Sequence, residues 1–513
     1  MRVIEQEVAE HTPDNGLEQE AAPDAATLKQ RSVRGAAATM VSQGIRIVLQ
    51  FGSQIALARL LLPGEVGLVA LVGPLLGFVA IFTELGLTQA TVQRERITQS
   101  ELSGLFWIST TIGAVLAGVM CAMAPLAAAF YHEPRLTPVA MSLAGLLVLA
   151  GMASQPIAVM NRNMRFVPLA VLDIGCSVAS AVVGIGAAWA GMGYWSLVLM
   201  QAANGVAILV FAWTLSGWRP SAPRWDPGVA ALLRFGGHMT AFNLVSFAGS
   251  NLDSILIGRL RGNVSLGLYD RAFKLVAAPI WTLSIPIARV AVSLLSRLQG
   301  TPDRYRHAYL QMLQVLLLVT LPAVAFTAVA AGTVVPFLLG PAWAEAAPIV
   351  AWLAVATGFA PFSISASWLF VSQGRGGEQT GYAVARTALS ITALLCGLPW
   401  GVVGVAQAYA AFGLVVHGVP LWGATRRGPV ALADAAAACA PLAVAAAVAA
   451  LAVRFAEQEM QLHGIPAWAQ LLLGAAAAYA AFGAALMTMP GGARLLRGAW
   501  ALRSAVRAAP ATG

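Results

Sequence analysis

Charge is scarce in this 513-residue chain. Only 10% of its residues are Asp, Glu, Lys or Arg, against about 25% in an ordinary soluble domain. The shortfall runs along the chain, which excludes a soluble domain on one anchor. Cysteine is scarcer still. Cys121, Cys176, Cys396 and Cys439 each stand alone in an apolar run, which excludes a disulfide framework and paired metal ligands. They read as small core residues. Catalytic signatures are missing too. There is no Gly-rich phosphate loop followed by Lys and Ser/Thr, no His pair at zinc spacing and no nucleophile elbow. No cofactor is expected, and the chain is not expected to be an enzyme. Isolated His238 and His417 are expected to hydrogen-bond between helices, with proton coupling the alternative role for each.

What is present is apolar: 58% of the residues are hydrophobic. Crossing a bilayer core takes about 20 apolar residues per helix. Candidate spans lie near 36–60, 67–91, 104–130, 137–160, 168–190, 194–216, 235–258, 273–296, 308–332, 345–372, 380–398, 401–422, 431–453 and 466–488. The expected fold is therefore an all-α polytopic membrane protein of about fourteen transmembrane helices. The acidic segment 1–33 lacks an apolar h-region. It reads as a disordered cytosolic tail, not a signal peptide.

The net charge of +9 does not indicate nucleic acid, because the basic residues fall in alternate loops. With the N-terminus inside, twenty Lys and Arg lie in inside segments and seven outside. That bias predicts an even number of crossings and both termini in the cytoplasm. Four of the seven outside cations, Arg259, Arg261, Arg271 and Lys274, crowd into 259–274.

An internal repeat appears at an offset of 200 residues. Ile55, Arg59, Leu60, Gly67 and Leu68 match Ile255, Arg259, Leu260, Gly267 and Leu268. Gln43, Arg46, Gln50, Ser53 and Gln54 fall opposite Asn243, Ser246, Ser250, Asp253 and Ser254. Each set steps by three or four residues, which makes a polar stripe on one helix face. Such stripes should face protein or a wet cleft, away from lipid. Six crossings separate the copies, so they run in the same direction. The expected organisation is a tail (1–33), a six-helix lobe (34–216), a cytosolic linker (217–234) and a second six-helix lobe (235–422). Two added helices (423–488) and a basic tail (489–513) follow. Arg494, Arg497, Arg503 and Arg507 in that tail are expected to meet anionic lipid heads.

Intramembrane charge is the sharpest signal. An Arg at a helix centre costs about 2.5–3.5 kcal/mol on insertion scales, so Arg46, Arg289 and Arg386 need a reason. One reason is structural: pairing with Asp253, or snorkelling of Arg386 towards its cytosolic end. The other is an anionic headgroup, which Arg grips bidentately. Repeat-related Arg59 and Arg259 suit a cationic outer vestibule. Pro74, Pro279, Pro286 and Pro361 lie inside spans, where they permit bending.

Seven short stretches resemble the polysaccharide transporter family: Glu84–Arg94 (ELGLTQATVQR), Glu101–Trp107 (ELSGLFW), Gly193–Leu197 (GYWSL), Asn251–Leu260 (NLDSILIGRL), Leu266–Ala272 (LGLYDRA), Pro286–Arg289 (PIAR) and Leu339–Trp343 (LGPAW). That family holds Wzx-type and colanic acid exporter-like flippases. It belongs to a superfamily with multidrug extruders and the lipid II flippase. The resemblance implies a MATE-like fold, two pseudo-symmetric six-helix lobes around a central cavity plus two C-terminal helices. It implies transport of undecaprenyl-pyrophosphate-linked oligosaccharide repeat units across the bacterial inner membrane, for exopolysaccharide, capsule or O-antigen synthesis. Polysaccharide polymerase and chain-length machinery are the implied protein partners. The candidate substrate cavity comprises Arg46, Gln50, Arg59, Asn243, Asn251, Asp253, Arg259, Arg271, Lys274, Arg289 and Arg386. With no nucleotide site in view, H+ or Na+ or downstream polymer assembly would supply energy. Glu84 and Asp253 are the ion-coupling candidates. A lipid II-type flippase and a MATE-like multidrug or cation antiporter share the fold. A membrane glycan polymerase or ligase is the reading from another class, and the short external loops count against it.

Overall fold

The computed structural model describes the backbone of residues 25–84, 91, 97–222, 227–489 and 492, and the side chains of 42–79, 91, 97–222, 251–489 and 492. The described elements are helical throughout. In the first half run α1 (Ala25–Leu60), α2 (Pro63–Glu84), α3 (Gln99–Tyr131), α4 (Leu136–Arg162), α5 (Phe166–Trp189) and α6 (Trp195–Ser216). The second half holds α7 (Pro227–Arg297), α8 (Pro302–Val329), α9 (Ala331–Leu339), α10 (Ala347–Thr357), α11 (Ala360–Ser372), α12 (Gly376–Gly397) and α13 (Gly401–Thr425). Finally come α14 (Leu432–Leu462) and α15 (Ala467–Thr488). Helix α1 begins at Ala25, so residues 25–33 of the expected tail are helical.

Ten helical segments among the described residues are long and apolar enough to cross a membrane. Their lipid-side character shows in what they leave uncovered. Val48, Leu126, Val182, Leu451 and Leu472 are each at least 60% exposed, which a soluble monomer would bury. Trp189, Trp400 and Trp468 stand out at 83%, 75% and 58%, in the manner of an interfacial aromatic belt. This is a multi-pass membrane protein.

Local sequence explains where the helices start and stop. Thr98 and Glu101 form a capping box on α3: the Glu101 amide donates to Thr98 Oγ1 (3.2 Å) and the Thr98 amide to Glu101 Oε2 (2.8 Å). The 71 residues of α7 are broken at Gly262, whose φ of 81° and ψ of 178° only glycine adopts readily. A helix that long would run roughly 100 Å, so the break folds α7 back into two limbs. The expected tenth span, 345–372, is not one rod: the Thr357–Ala360 step divides it into α10 and α11. Between α8 and this span, α9 and a 3-10 turn at Pro341–Ala346 intervene around Gly340. Pro361 consequently starts α11 and does not bend the middle of a helix.

The largest core cluster joins both halves through Leu57, Leu68, Leu143, Tyr269, Trp343 and Leu394. A second cluster, with Tyr305, Tyr309, Trp368, Leu442 and Phe482, fastens α14 and α15 to the second half, chiefly through α8.

Helix α2 packs closely on α7. A Cβ on Gly67 would overlap the Asn263 carbonyl oxygen, and one on Gly267 would overlap the Pro63 carbonyl oxygen. Gly67 and Gly267, like Pro63 and Asn263, are 200 residues apart, the offset of the expected repeat.

Candidate functional site

Two cavities between helices are lined by charged and polar side chains. The first, about 530 Å³, lies within the first half among α1, α4, α5 and α6. Its polar lining is Ser42, Arg46, Asn161, Asp173, Ser177 and Asn204. Asn161 Nδ2 donates to the Ile157 carbonyl (3.2 Å) and Ser177 Oγ to that of Asp173 (2.7 Å). Arg46 is half-buried, and its guanidinium has no hydrogen-bond or ion-pair partner among the described residues. Asp173 shares the cavity without bridging to it.

The second cavity, about 320 Å³, lies between α7, α11, α12 and α13. Arg386, His417, Ser363 and Gln379 line it together with Trp281, Phe370 and Tyr382. His417 Nδ1 and Ser363 Oγ are 2.9 Å apart, a hydrogen bond between α13 and α11, as expected for that histidine. Arg386 lies 10 residues after Gly376 and 11 before Gly397. It sits near the centre of α12, roughly 15 Å from either end. Its guanidinium too has no partner among the described residues.

The remaining candidates are spread out. Gln50 is exposed on α1, and Asn251 is half-buried on α7. Asp253 pairs with no described arginine. Its Oδ2 accepts from Tyr269 OH at 2.9 Å, so the structural role foreseen for an Arg–Asp253 pair falls to a tyrosine. Arg289 is exposed on α7. The side chains of Glu84 and Asn243 lie outside the described residues, as does His238.

The crowded cations of 259–274 do not line one open vestibule, because each has its own surroundings. Arg259 stacks over the Phe130 ring, 5.5 Å from its centroid. Arg261 donates to the carbonyls of Leu398 and Pro399, both at 2.6 Å. Arg271 is 6% exposed, and its Nε lacks a hydrogen-bond partner. Lys274 pairs with Asp270 at 2.8 Å. Arg59, at the end of α1, donates to the Phe337 and Leu338 carbonyls of α9.

Asp173, Asn161 and Asn204 escaped the sequence reading. A signal was present for one of them, because Asp173 is the only charged residue in the expected fifth span, 168–190. Asn161 and Asn204 have no such mark.

The polysaccharide biosynthesis protein family matches this chain over residues 56–348. Among its relatives, the teichuronic acid biosynthesis protein TuaB of Bacillus subtilis (strain 168) is 27% identical over 282 residues, 54% of this chain and 58% of that protein. The lipopolysaccharide biosynthesis protein WzxC of Escherichia coli (strain K12) is 23% identical over 379 residues, 72% of this chain and 76% of that one. The matched region thus spans little more than half of the first relative and about three quarters of the second. In three dimensions, the lipid II flippase MurJ in an inward closed conformation superposes with a TM-score of 0.69 at 11% identity, over 88% of this chain and 98% of its own. An inward-facing multidrug resistance MATE family transporter gives 0.56 at 16%, over 74% and 94%. At these identities the likeness concerns the fold.

Proposed function

Because the chain belongs to the polysaccharide biosynthesis protein family, we propose that it is a flippase for undecaprenyl-pyrophosphate-linked oligosaccharide repeat units in the bacterial inner membrane. The observation that carries this reading is the pair of inter-helix cavities, each with an arginine that has no described partner. A charge in that position needs a counter-charge. A pyrophosphate with its sugars would supply one and would match the guanidinium fork.

The architecture is read as fourteen crossings. Each limb of α7 is one, α9 to α11 together are one, and every other helix is one. Two six-helix lobes, 34–216 and 235–422, then flank the substrate path, with α14 and α15 added at 423–488. The lysine and arginine bias puts both termini in the cytoplasm, so the Gly262 end faces outward. Arg46 and Asp173 would meet the pyrophosphate-sugar junction from the first lobe. Arg386, with its aromatic neighbours, would meet the glycan from the second. The lipid tail stays in the bilayer. Asp253, held by Tyr269, is the coupling candidate for H+ or Na+. A drug or cation antiporter would favour acidic cavities over these. The connections among the described residues are too short for the catalytic domain of a glycan polymerase or ligase.

The test is lipid-linked glycan by leaflet in a strain lacking this protein and any substitute. Repeat units should build up on the cytoplasmic face and clear with wild type. Losing a charge-assisted hydrogen bond costs about 1.5–3 kcal/mol, so Arg46→Ala/Arg386→Ala should clear them roughly tenfold more slowly or worse. No build-up without the protein would sink the flippase reading. Full clearance by the double variant would sink the site.

A further inference from the structure

A third cavity lies outside both of these. It is a groove of about 510 Å³ formed by α12, the end of α13 and the turn after it, at the end of the bundle that carries Arg375. Glu378, Gly381, Tyr382 and Ala385 on α12 face Gly423 on α13 and Arg426 and Arg427 just past its end. The α12 residues step by three, one and three, so they share one face. The Arg386 cavity opens on the neighbouring face, through Gln379 and Ala383. Tyr382 stands between the two. A Cβ on Gly423 would overlap the Tyr382 ring, so the glycine lets the aromatic wall lie flat against α13.

The charges here are unevenly used. Arg375 is fully occupied. It grips Glu378 through two bonds (3.1 and 2.7 Å) and donates to the carbonyls of Ala424 (2.9 Å) and Arg427 (2.5 Å). That clamp fixes the groove and neutralises its one acid. Arg426 and Arg427 remain exposed. Arg426 lies over the Trp422 ring at 4.4 Å, and Arg427 comes only within 3.7 Å of Glu378. The start of α12 has no side-chain cap, and Gly376-Gly377 leaves its amides uncovered, which adds positive potential at the same spot. Trp422 is 45% exposed and suits the headgroup level of a bilayer.

We propose that this groove binds an anionic phospholipid of the leaflet at that end, its phosphodiester on Arg426 and Arg427 and an acyl chain along Gly381 and Ala385. Only α12 and the end of α13 with its following turn line the groove, so its long side is open to lipid. Basic pockets between membrane helices hold phosphate headgroups in this way. The site is independent of transport, so its failure would leave the flippase reading intact, and the reverse.

The experiment uses the purified full-length protein reconstituted in phosphatidylcholine with a minor share of phosphatidylglycerol, and counts co-purifying lipids by native mass spectrometry. Wild type should retain phosphatidylglycerol selectively, and 1 M salt should strip it. R426Q/R427Q should retain roughly tenfold less, with phosphatidylcholine unchanged, and R426K/R427K should recover most of it. Equal retention by the glutamine pair, or salt-insensitive retention by wild type, overturns the proposal. The salt arm needs no variant, so it decides even where the substitution impairs folding.

Discussion

At the Gly262 end hydrogen bonds between described residues cross from one half to the other, whereas at the Arg375 end several run within a half. Arg59 of α1 reaches the Phe337 and Leu338 carbonyls, and Trp343 Nε1 donates to the Ala58 carbonyl. Asn263 Nδ2 donates to Gly64 O (3.4 Å) and Glu133 Oε2 (3.3 Å). Gly67 and Gly267 sit back to back. At the other end, Gln99 with Arg219, Ser103 with Ser221 and Arg165 with Ser216 stay in the first half. Tyr305 with Ser372 and Arg375 with Ala424 stay in the second. Alternating access would require the Gly262-end ties to break and a new set to form opposite.

The contrast can be attacked most strongly at the glycine contact. Gly67→Val would drive a branched side chain into the Asn263 carbonyl and force the halves apart. Over-packing costs typically about 1–3 kcal/mol and sometimes more, so the melting temperature in detergent and the flipping rate should both collapse. Gly73→Val on the same helix meets nothing within 4 Å and should leave both unchanged. Equal effects would mean that the contact is incidental.

Trp343→Phe is the next step down. Trp343 is fully buried, and its loss as a donor leaves the Ala58 carbonyl unpaired, at a cost of about 1–3 kcal/mol. Hydrogen exchange should rise around 337–346 and stay unchanged around 372–376. Arg59→Gln should act in the same direction by less, on the order of 1 kcal/mol, because Arg59 is exposed. Exchange rising equally at both ends would break the comparison.

The smallest effect concerns acid. Glu133 is held below its ordinary value of 4.5 by the Arg135 side chain, which donates at 2.8 and 2.9 Å. A lowered carboxylate stabilises the folded form above the ordinary value, and that support is lost as pH falls through the folded-state value. Protonation would also weaken the Asn263 contact between the halves. Stability of wild type should therefore fall slightly more than that of Glu133→Gln below about pH 4.5, by a small margin because the pair is solvent-screened.

Much of the bundle was legible in the chain. Apolar runs locate helices because a bilayer imposes a length, whereas the break at Gly262 appears only in its backbone angles. The Gly67–Gly267 match at a fixed offset pointed to two related halves, and those two glycines meet where α2 packs on α7. The candidate site was less legible. Arg46 and Arg386 line cavities, yet they lie in different halves with different neighbours. Of the repeat-related arginines, Arg59 ties the halves together and Arg259 stacks on Phe130. Asp173 was visible as a lone charge, but its sharing a cavity with Arg46 was not.

The sequence by itself determined the membrane class, the approximate helices, the repeat and the rarity of charge within the spans, because hydropathy and periodicity are local properties. Only the tertiary structure decided which arginines were spent on carbonyls and which were left facing a cavity. A guanidinium looks the same in sequence whether α9 offers it two carbonyls or α5 offers it open space, and long-range packing makes that choice.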